Sequence, residues 1–247
     1  MFITPNWPKP DNIQALCTTR QGGVSQPPFD SLNMATHVED DLQHVLQNRA
    51  IIKRQANLPS EPIWLNQQHT DIALPLSSTT VFDEPPIADA SWTQSVNVVS
   101  VVMTADCLPI LLTDKQGSCV AAIHAGWKGL ADKIVSKTIQ AMPVQSSELM
   151  AWIGPAISVR QFEVGQDVYD AFVNQNIENK RFFHAEPQQK AKYLADLPGL
   201  VRFEMQNLGV SQIYASQLCS FENQTEFFSY RRDGKTGRMA SMIWIEN

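Results

Sequence analysis

The strongest constraint on this chain is the run at residues 96–131, VNVVSVVMTADCLPILLTDKQGSCVAAIHAGWKGLA. Short apolar segments rich in Val, Ile and Leu alternate with polar breaks, which is the pattern of buried strands rather than of an amphipathic helix. VNVVSVVM leads into Asp106 and Cys107, PILLT leaves from them, and DKQG reverses the chain. SCVAAIH then ends on His124, ahead of Ala125, Gly126, Trp127, Lys128 and Gly129. Pairing PILLT with SCVAAIH as a hairpin brings Cys107 and His124 together at its open end. A thiol and an imidazole are then held beside glycines, which let another group approach the backbone closely.

The rest of the chain reads as strands interleaved with helices. Residues 13–19 (IQALCTT) predict a strand, and RQGG at 20–23 a turn. Asp41 is a suitable N-cap for a helix over residues 41–55. Leu42, Val45, Leu46, Arg49 and Ala50 share one face of it at helical spacing and are expected to point inward. Residues 62–66 and 71–76 predict strands, and the acidic, Pro-rich 79–92 (TTVFDEPPIADASW) a loop. A helix follows from about residue 127 or 129 to 142, then a strand at 149–153 and a helix over 164–174. Residues 175–192 show no pattern. The helix at 197–208 stops at Gly209, as a left-handed residue past a helix end would stop it. A strand at 213–219 and a hairpin of FFSYRR and RMASMIWI around DGKTG close the chain. With no linker, repeat or low-complexity tract, residues 1–247 read as one α+β domain, two sheets covered by helices.

Acidic residues outnumber basic ones, 25 to 19, for a net charge of −6. That excludes a nucleic-acid binder living on non-specific phosphate contacts. No apolar run reaches the length of a membrane span. The opening MFITPNWPKP has neither the basic nor the apolar part of a secretory signal. The cysteines at 17, 107, 119 and 219 form no CxxC pair and are expected to be reduced thiols, so a cytoplasmic protein is expected.

Three residues stand at the ends of predicted strands, next to breaks: His69, Cys107 and His124. Two imidazoles and a thiolate suit zinc, and three protein ligands leave a position for water or substrate. The spacings are long and match no compact metal motif. Spacing alone favours the plainer explanation, a buried apolar thiol and a satisfied core histidine. A metal-free alternative makes Cys107 a nucleophile and His124 its base, with Asp106 or another carboxylate orienting the base. A multicopper oxidase needs on the order of ten histidines, and this chain has five. Copper in place of zinc at a single His₂Cys site stays open. Arg49 stands out because a guanidinium on an apolar helix stripe needs an anionic partner, either a carboxylate such as Asp106 or a substrate phosphate. Dinucleotide, P-loop and serine-hydrolase motifs are absent.

TTRQGGVS (18–25), SLNMATH (31–37), QNR (47–49), QQH (67–69), MTADCLPIL (103–111), AAIHAGWKG (121–129), WIGPAI (152–157), FEVG (162–165) and FFSYRRDGKTGRMASMIW (227–244) together resemble the YfiH-like family. It is also called the laccase-domain or polyphenol oxidoreductase family, and peptidoglycan editing factor in some bacteria. The resemblance implies a single-domain, four-layer αββα sandwich with two mixed or antiparallel sheets. It implies a zinc held by His69, Cys107 and His124, which overturns the plainer explanation. It implies phosphorolysis of purine nucleosides (adenosine, inosine, methylthioadenosine), with adenosine deamination, so the partners are a small purine nucleoside and phosphate rather than nucleic acid or membrane. The alternatives are a hydrolase editing peptidoglycan precursors and a copper-dependent polyphenol oxidoreductase. On this resemblance Cys107, His124, Asp106 and Arg49 are the catalytic candidates. Asn33, His37, Arg49 and Gln67 are the substrate- or phosphate-holding candidates. Lys128 stands where Arg is also common, keeping the charge but losing the guanidinium fork.

Overall fold

The computed structural model describes residues 1–186 and 189–247. The chain begins β1 (Phe2–Ile3), β2 (Ile13–Thr18), α1 (Leu42–Gln55), β3 (Ala73–Leu76), β4 (Ala90–Thr93), β5 (Ser100–Thr104), β6 (Leu108–Asp114) and β7 (Val120–Ala125). It continues with α2 (Trp127–Ala131), α3 (Ile134–Ala141), β8 (Leu149–Ile153), β9 (Glu163–Gly165), α4 (Gln166–Val173), β10 (Phe183–Ala185) and β11 (Lys192–Ala195). It ends with α5 (Leu197–Asn207), β12 (Gln212–Ala215), α6 (Tyr230–Asp233) and β13 (Met239–Ile245).

The hairpin at the centre of the sequence forms as expected. β6 and β7 are antiparallel, with Leu108 opposite Ala125 and Pro109 opposite His124. They lie in the middle of a six-stranded mixed sheet of order β12-β8-β6-β7-β4-β3. A four-stranded antiparallel sheet, β1-β2-β13-β5, packs against it. The side-chain period of two sorts the strands into layers. In β6, Leu108, Ile110 and Leu112 face the helices α2 to α5, packing on Ile134, Val168, Leu200 and their neighbours. Leu111 of β6, with Val120, Ala122, Met150 and Trp152, faces the other sheet and meets Ile13, Val102 and Ile243. The far face of that second sheet carries Leu16, Val101, Met103 and Met242, covered by Ile52 of α1 and by Phe29, Leu32 and Met34 of the preceding loop. The result is the αββα layering, with a small third sheet, β10-β11-β9, whose edge strand β10 lies in the 175–192 stretch that shows no sequence pattern.

Several expectations are corrected. The acidic 79–92 segment is not all loop: its end forms β4, antiparallel to β7 and parallel to β3. Residues 62–66 make only isolated bridges, Ile63 to Ser100 and Asn66 to Ile87. The helix at 127–142 is broken where Lys133 takes a left-handed φ of 73°. The strand expected at 213–219 ends at Ala215 and runs parallel to β8. The C-terminal hairpin does not form. Phe227 and Phe228 are buried in a loop, α6 is capped by Ser229, whose Oγ accepts from the Arg232 N–H, and β13 pairs with β2 and β5.

The inward face of α1 also differs. Val45, Asn48 and Ile52 are buried, while Leu42 and Leu46 are 53% and 46% exposed. Asn48 tolerates burial because its amide is fully used. It donates to Ser25 Oγ and to the Ser31 and Asn33 carbonyls, and accepts from the Val24 N–H. Among the described residues no helix is long and apolar enough to cross a membrane.

Candidate metal centre

His69, Cys107 and His124 converge. One donor atom from each lies within 4.8 Å of the others. Cys107 Sγ is 3.6 Å from His69 Nε2, and the two imidazole rings meet edge to face with centroids 4.9 Å apart. The sheet sets His124 inside β7, opposite Pro109, and leaves Cys107 at the entrance to β6. His69 and Asp106 adopt left-handed backbone, φ 59° and 87°. Such strain in residues other than glycine persists only where surrounding contacts hold it. Gly126 is required by the cluster: a Cβ there would sit 2.3 Å from His69 Cδ2 and 3.0 Å from Cys107 Sγ.

The residue that organises this site is Asp89, which sequence reasoning missed. Its carboxylate is fully buried. Oδ1 accepts from His124 Nδ1 at 2.7 Å and from the His69 N–H at 3.0 Å. Oδ2 accepts from the Gln68 and Thr70 N–H groups and from Thr70 Oγ1. One carboxylate therefore fixes two of the three donors, and by occupying Nδ1 it leaves Nε2 of His124 as the ligand atom. Asp89 stands just before β4, in the segment read as loop. The only signal in the sequence was an acid inside a short apolar alternation, ADASW.

The charges reinforce one another in the metal-free protein. Burial raises the Cys107 thiol's pKa, but His124 and His69 more than offset this and bring it down to about 6. Burial alone would lower that of His124, but Cys107 and Asp89 push it up to about 9. Asp89 falls to about 2 because, against its own burial, it accepts from His124 and Thr70. A thiolate with two imidazoles is a borderline-soft donor set that fits zinc or copper and not magnesium or calcium.

The cluster opens onto a cleft of about 400 Å³, lined also by His37, Gln67, Met103, Thr104, Tyr230 and Arg238. His37 is solvent-exposed; partial burial, then Arg238 and Arg49, hold its pKa below the usual histidine value. Gln67 lines the cleft, but its amide is pinned to the N–H and C=O of Met103. Asn33 does not line it. Asn33 is buried, bonded to Ala35, Asp40 and the Arg238 N–H. Asp106 also lies off the cleft, because its left-handed turn sends the carboxylate to Ser220 Oγ and the Arg231 N–H. Its place as orienter of His124 is taken by Asp89. Arg49 is displaced too. With Asn48 on the inward face, Arg49 falls on the flank of α1, where it donates to the Met34 carbonyl and stacks 3.7 Å over the Trp64 ring. It lines a separate hollow with Glu61 and Phe82. Lys128 is exposed, 5.7 Å from the centroid of the Trp127 ring.

The sequence profile of the family described as "Multi-copper polyphenol oxidoreductase laccase" matches residues 14–246. A Haemophilus influenzae protein named purine nucleoside phosphorylase is 44% identical over 246 residues, covering 99% of both chains. The Escherichia coli protein named purine nucleoside phosphorylase YfiH is 43% identical, covering 99% of this chain and 98% of that one. The chain belongs to the YfiH-like family. The crystal structure of Neisseria meningitidis NMB0706 superposes with a TM-score of 0.94 at 46% identity, covering 100% of this chain and 99% of that one. Geobacillus stearothermophilus YlmD gives 0.87 at 27% identity, covering 96% and 93%. The YfiH-like fold is thus matched from end to end.

Proposed function

We propose that this YfiH-like protein is a zinc-dependent purine nucleoside phosphorylase, with adenosine deamination at the same site. The observation that carries the reading is the three-donor His69–Cys107–His124 cluster, opening onto a cleft large enough for a nucleoside and edged by the Arg238 guanidinium. The names of relatives that match over nearly the whole chain support it. The histidine count, five in all, leaves too few ligands for a multicopper centre, and three protein donors with one open position are the pattern of a catalytic zinc site, so zinc is taken as the resident metal.

His69, Cys107 and His124 would hold the ion, which when bound supplies a Lewis acid. The chain's own residues do the rest. Asp89 fixes the tautomer and angle of His124, and Gly126 keeps a side chain out of the space between the donors. Arg238 sets a positive potential on one wall, which favours an anionic co-substrate, while His37 beside it is held towards its neutral form and offers a hydrogen-bonding ring. Tyr230, 61% exposed at the rim, offers an aromatic face for a purine. In phosphorolysis a phosphate oxygen bonds to ribose C1′ as the glycosidic bond breaks. The electron pair of that bond leaves with the purine, so charge develops at both ends and must be stabilised by groups already in place.

A second reading rests on one specific observation: Cys107, His124 and Asp89 form a continuous thiol–imidazole–carboxylate series. That is the arrangement of a cysteine nucleophile with an oriented base, and it supports a hydrolase acting on peptidoglycan precursors. The test is metal dependence. Purified protein is incubated with adenosine, inosine or methylthioadenosine, with and without phosphate, before and after chelation and zinc restoration. Phosphate-dependent release of free base that is lost on chelation and regained with zinc supports the first reading. Full activity on a precursor peptide after metal removal, with trapping of Cys107 as a covalent adduct, sinks it and establishes the second.

A further inference from the structure

The cleft contains a guanidinium whose hydrogen bonding is unfinished. Arg238 lies on the wall shared by the metal cleft and an outer hollow of about 460 Å³, together with His37 and Tyr230. Its Nη1 donates to the carbonyls of Thr236 and Gly237 at 2.8 and 3.0 Å. Nε and Nη2 have no protein acceptor among the described residues, and no carboxylate comes within ion-pair distance of the group. The other arginines near this region are committed. Arg20 and Arg232 pair with Asp30 and Asp233, and Arg231 donates to the carbonyls of Gln161 and Glu163.

Arg238 is also held in place. Its N–H donates to Asn33 Oδ1 at 2.9 Å, and its carbonyl accepts from the Met34 N–H at 3.1 Å. Asn33 in turn is buried with its amide fully used. The backbone is thus clamped on both sides while Nη1 is tied to its own loop. The edge left over, Nε with Nη2, is the two-donor fork that matches a phosphate or carboxylate oxygen pair. A partly buried guanidinium edge with no acceptor in contact is costly, and an anionic ligand seated on it relieves that cost.

We infer that Arg238 binds the phosphate co-substrate in this cleft, through its Nε and Nη2 edge. The inference rests on the phosphorylase reading for the identity of the anion, and it replaces Arg49, which faces a different hollow. Inorganic phosphate binding is measured by titration calorimetry on zinc-loaded wild type, Arg238→Gln and Arg238→Lys, alone and with saturating hypoxanthine. The phosphate and nucleoside KM are measured on the same samples. Losing two charge-assisted hydrogen bonds is expected to weaken phosphate binding and raise the phosphate KM by about tenfold or more, with a smaller effect for the lysine variant. The nucleoside KM and zinc content stay near wild type. Arg238→Lys keeps the charge and serves where Arg238→Gln loosens its loop, and thermal melts identify that case. Equal phosphate binding by wild type and both variants overturns the assignment, as does no phosphate binding by wild type under either condition. Phosphate binding that depends on Arg238 in a protein that cleaves no nucleoside upholds the assignment and overturns the phosphorylase reading instead.

Discussion

Replacing Asp89 by alanine removes the acceptor for five donors at once: His124 Nδ1, the N–H groups of Gln68, His69 and Thr70, and Thr70 Oγ1. The carboxylate is wholly buried, so no solvent stands ready to take its place. Breaking a buried charged network by removing one member costs on the order of 3–5 kcal/mol, and the loss of a group that orients a ligand histidine costs about 10–100-fold in metal affinity. Asp89→Ala is therefore expected to lose that much stability in denaturant unfolding of the metal-free protein, and to bind zinc about 10–100-fold more weakly in competition with a chelator. Asp89→Asn keeps the shape but turns an amide NH₂ toward donors, so it should recover only part of either quantity. A variant that is destabilised yet binds zinc with wild-type affinity would refute the claim that Asp89 orients His124.

Gly126→Ala places a Cβ 2.3 Å from His69 Cδ2; that ring is a movable side chain, so zinc should be lost while the unfolding midpoint changes little. Cys107→Ala should abolish zinc binding yet leave the far-ultraviolet circular dichroism unchanged, because Cys107 belongs to none of the three apolar cores. Arg49→Ala should cost about 1–2 kcal/mol in stability through its hydrogen bonds and its cation–π contact, without a selective rise in phosphate KM; such a rise would return Arg49 to the site. Burial pushes the Cys17 and Cys119 thiols up to about 12, so at pH 8 both stay protonated and resist iodoacetamide in the native protein, and the mass of the metal-stripped protein should rise first at Cys107.

The parts of this molecule that were legible from sequence are those fixed by local pattern. The β6–β7 hairpin carries its own turn and apolar periodicity, so the meeting of Cys107 and His124 followed from the chain alone. What escaped was set by distant contacts. β4 is four residues long and sits behind prolines and acids, yet it is a strand because β7 and β3 flank it, and Asp89 went unnoticed with it. The chain bends at DGKTG, but as the end of α6 with Gly234 at φ 67° rather than as a hairpin turn, and the partner of β13 is β2 at the other end of the chain rather than the adjacent FFSYRR. Arg49 was misplaced because Leu42 and Leu46 pointed to a face that the folded helix exposes. Asn48, a polar residue, occupies the interior by satisfying its amide against the 24–33 loop, and hydrophobic periodicity cannot register such a residue.

The measurement closest to the central claim is X-ray absorption at the zinc edge on protein purified with its metal, combined with elemental analysis. The account predicts about one zinc per chain, with one sulfur scatterer near ~2.3 Å and two imidazole nitrogens near ~2.0–2.1 Å, completed by a single light atom from solvent or substrate. The sulfur should vanish in Cys107→Ala. A zinc bound without sulfur, or a first shell unchanged by that substitution, would contradict it.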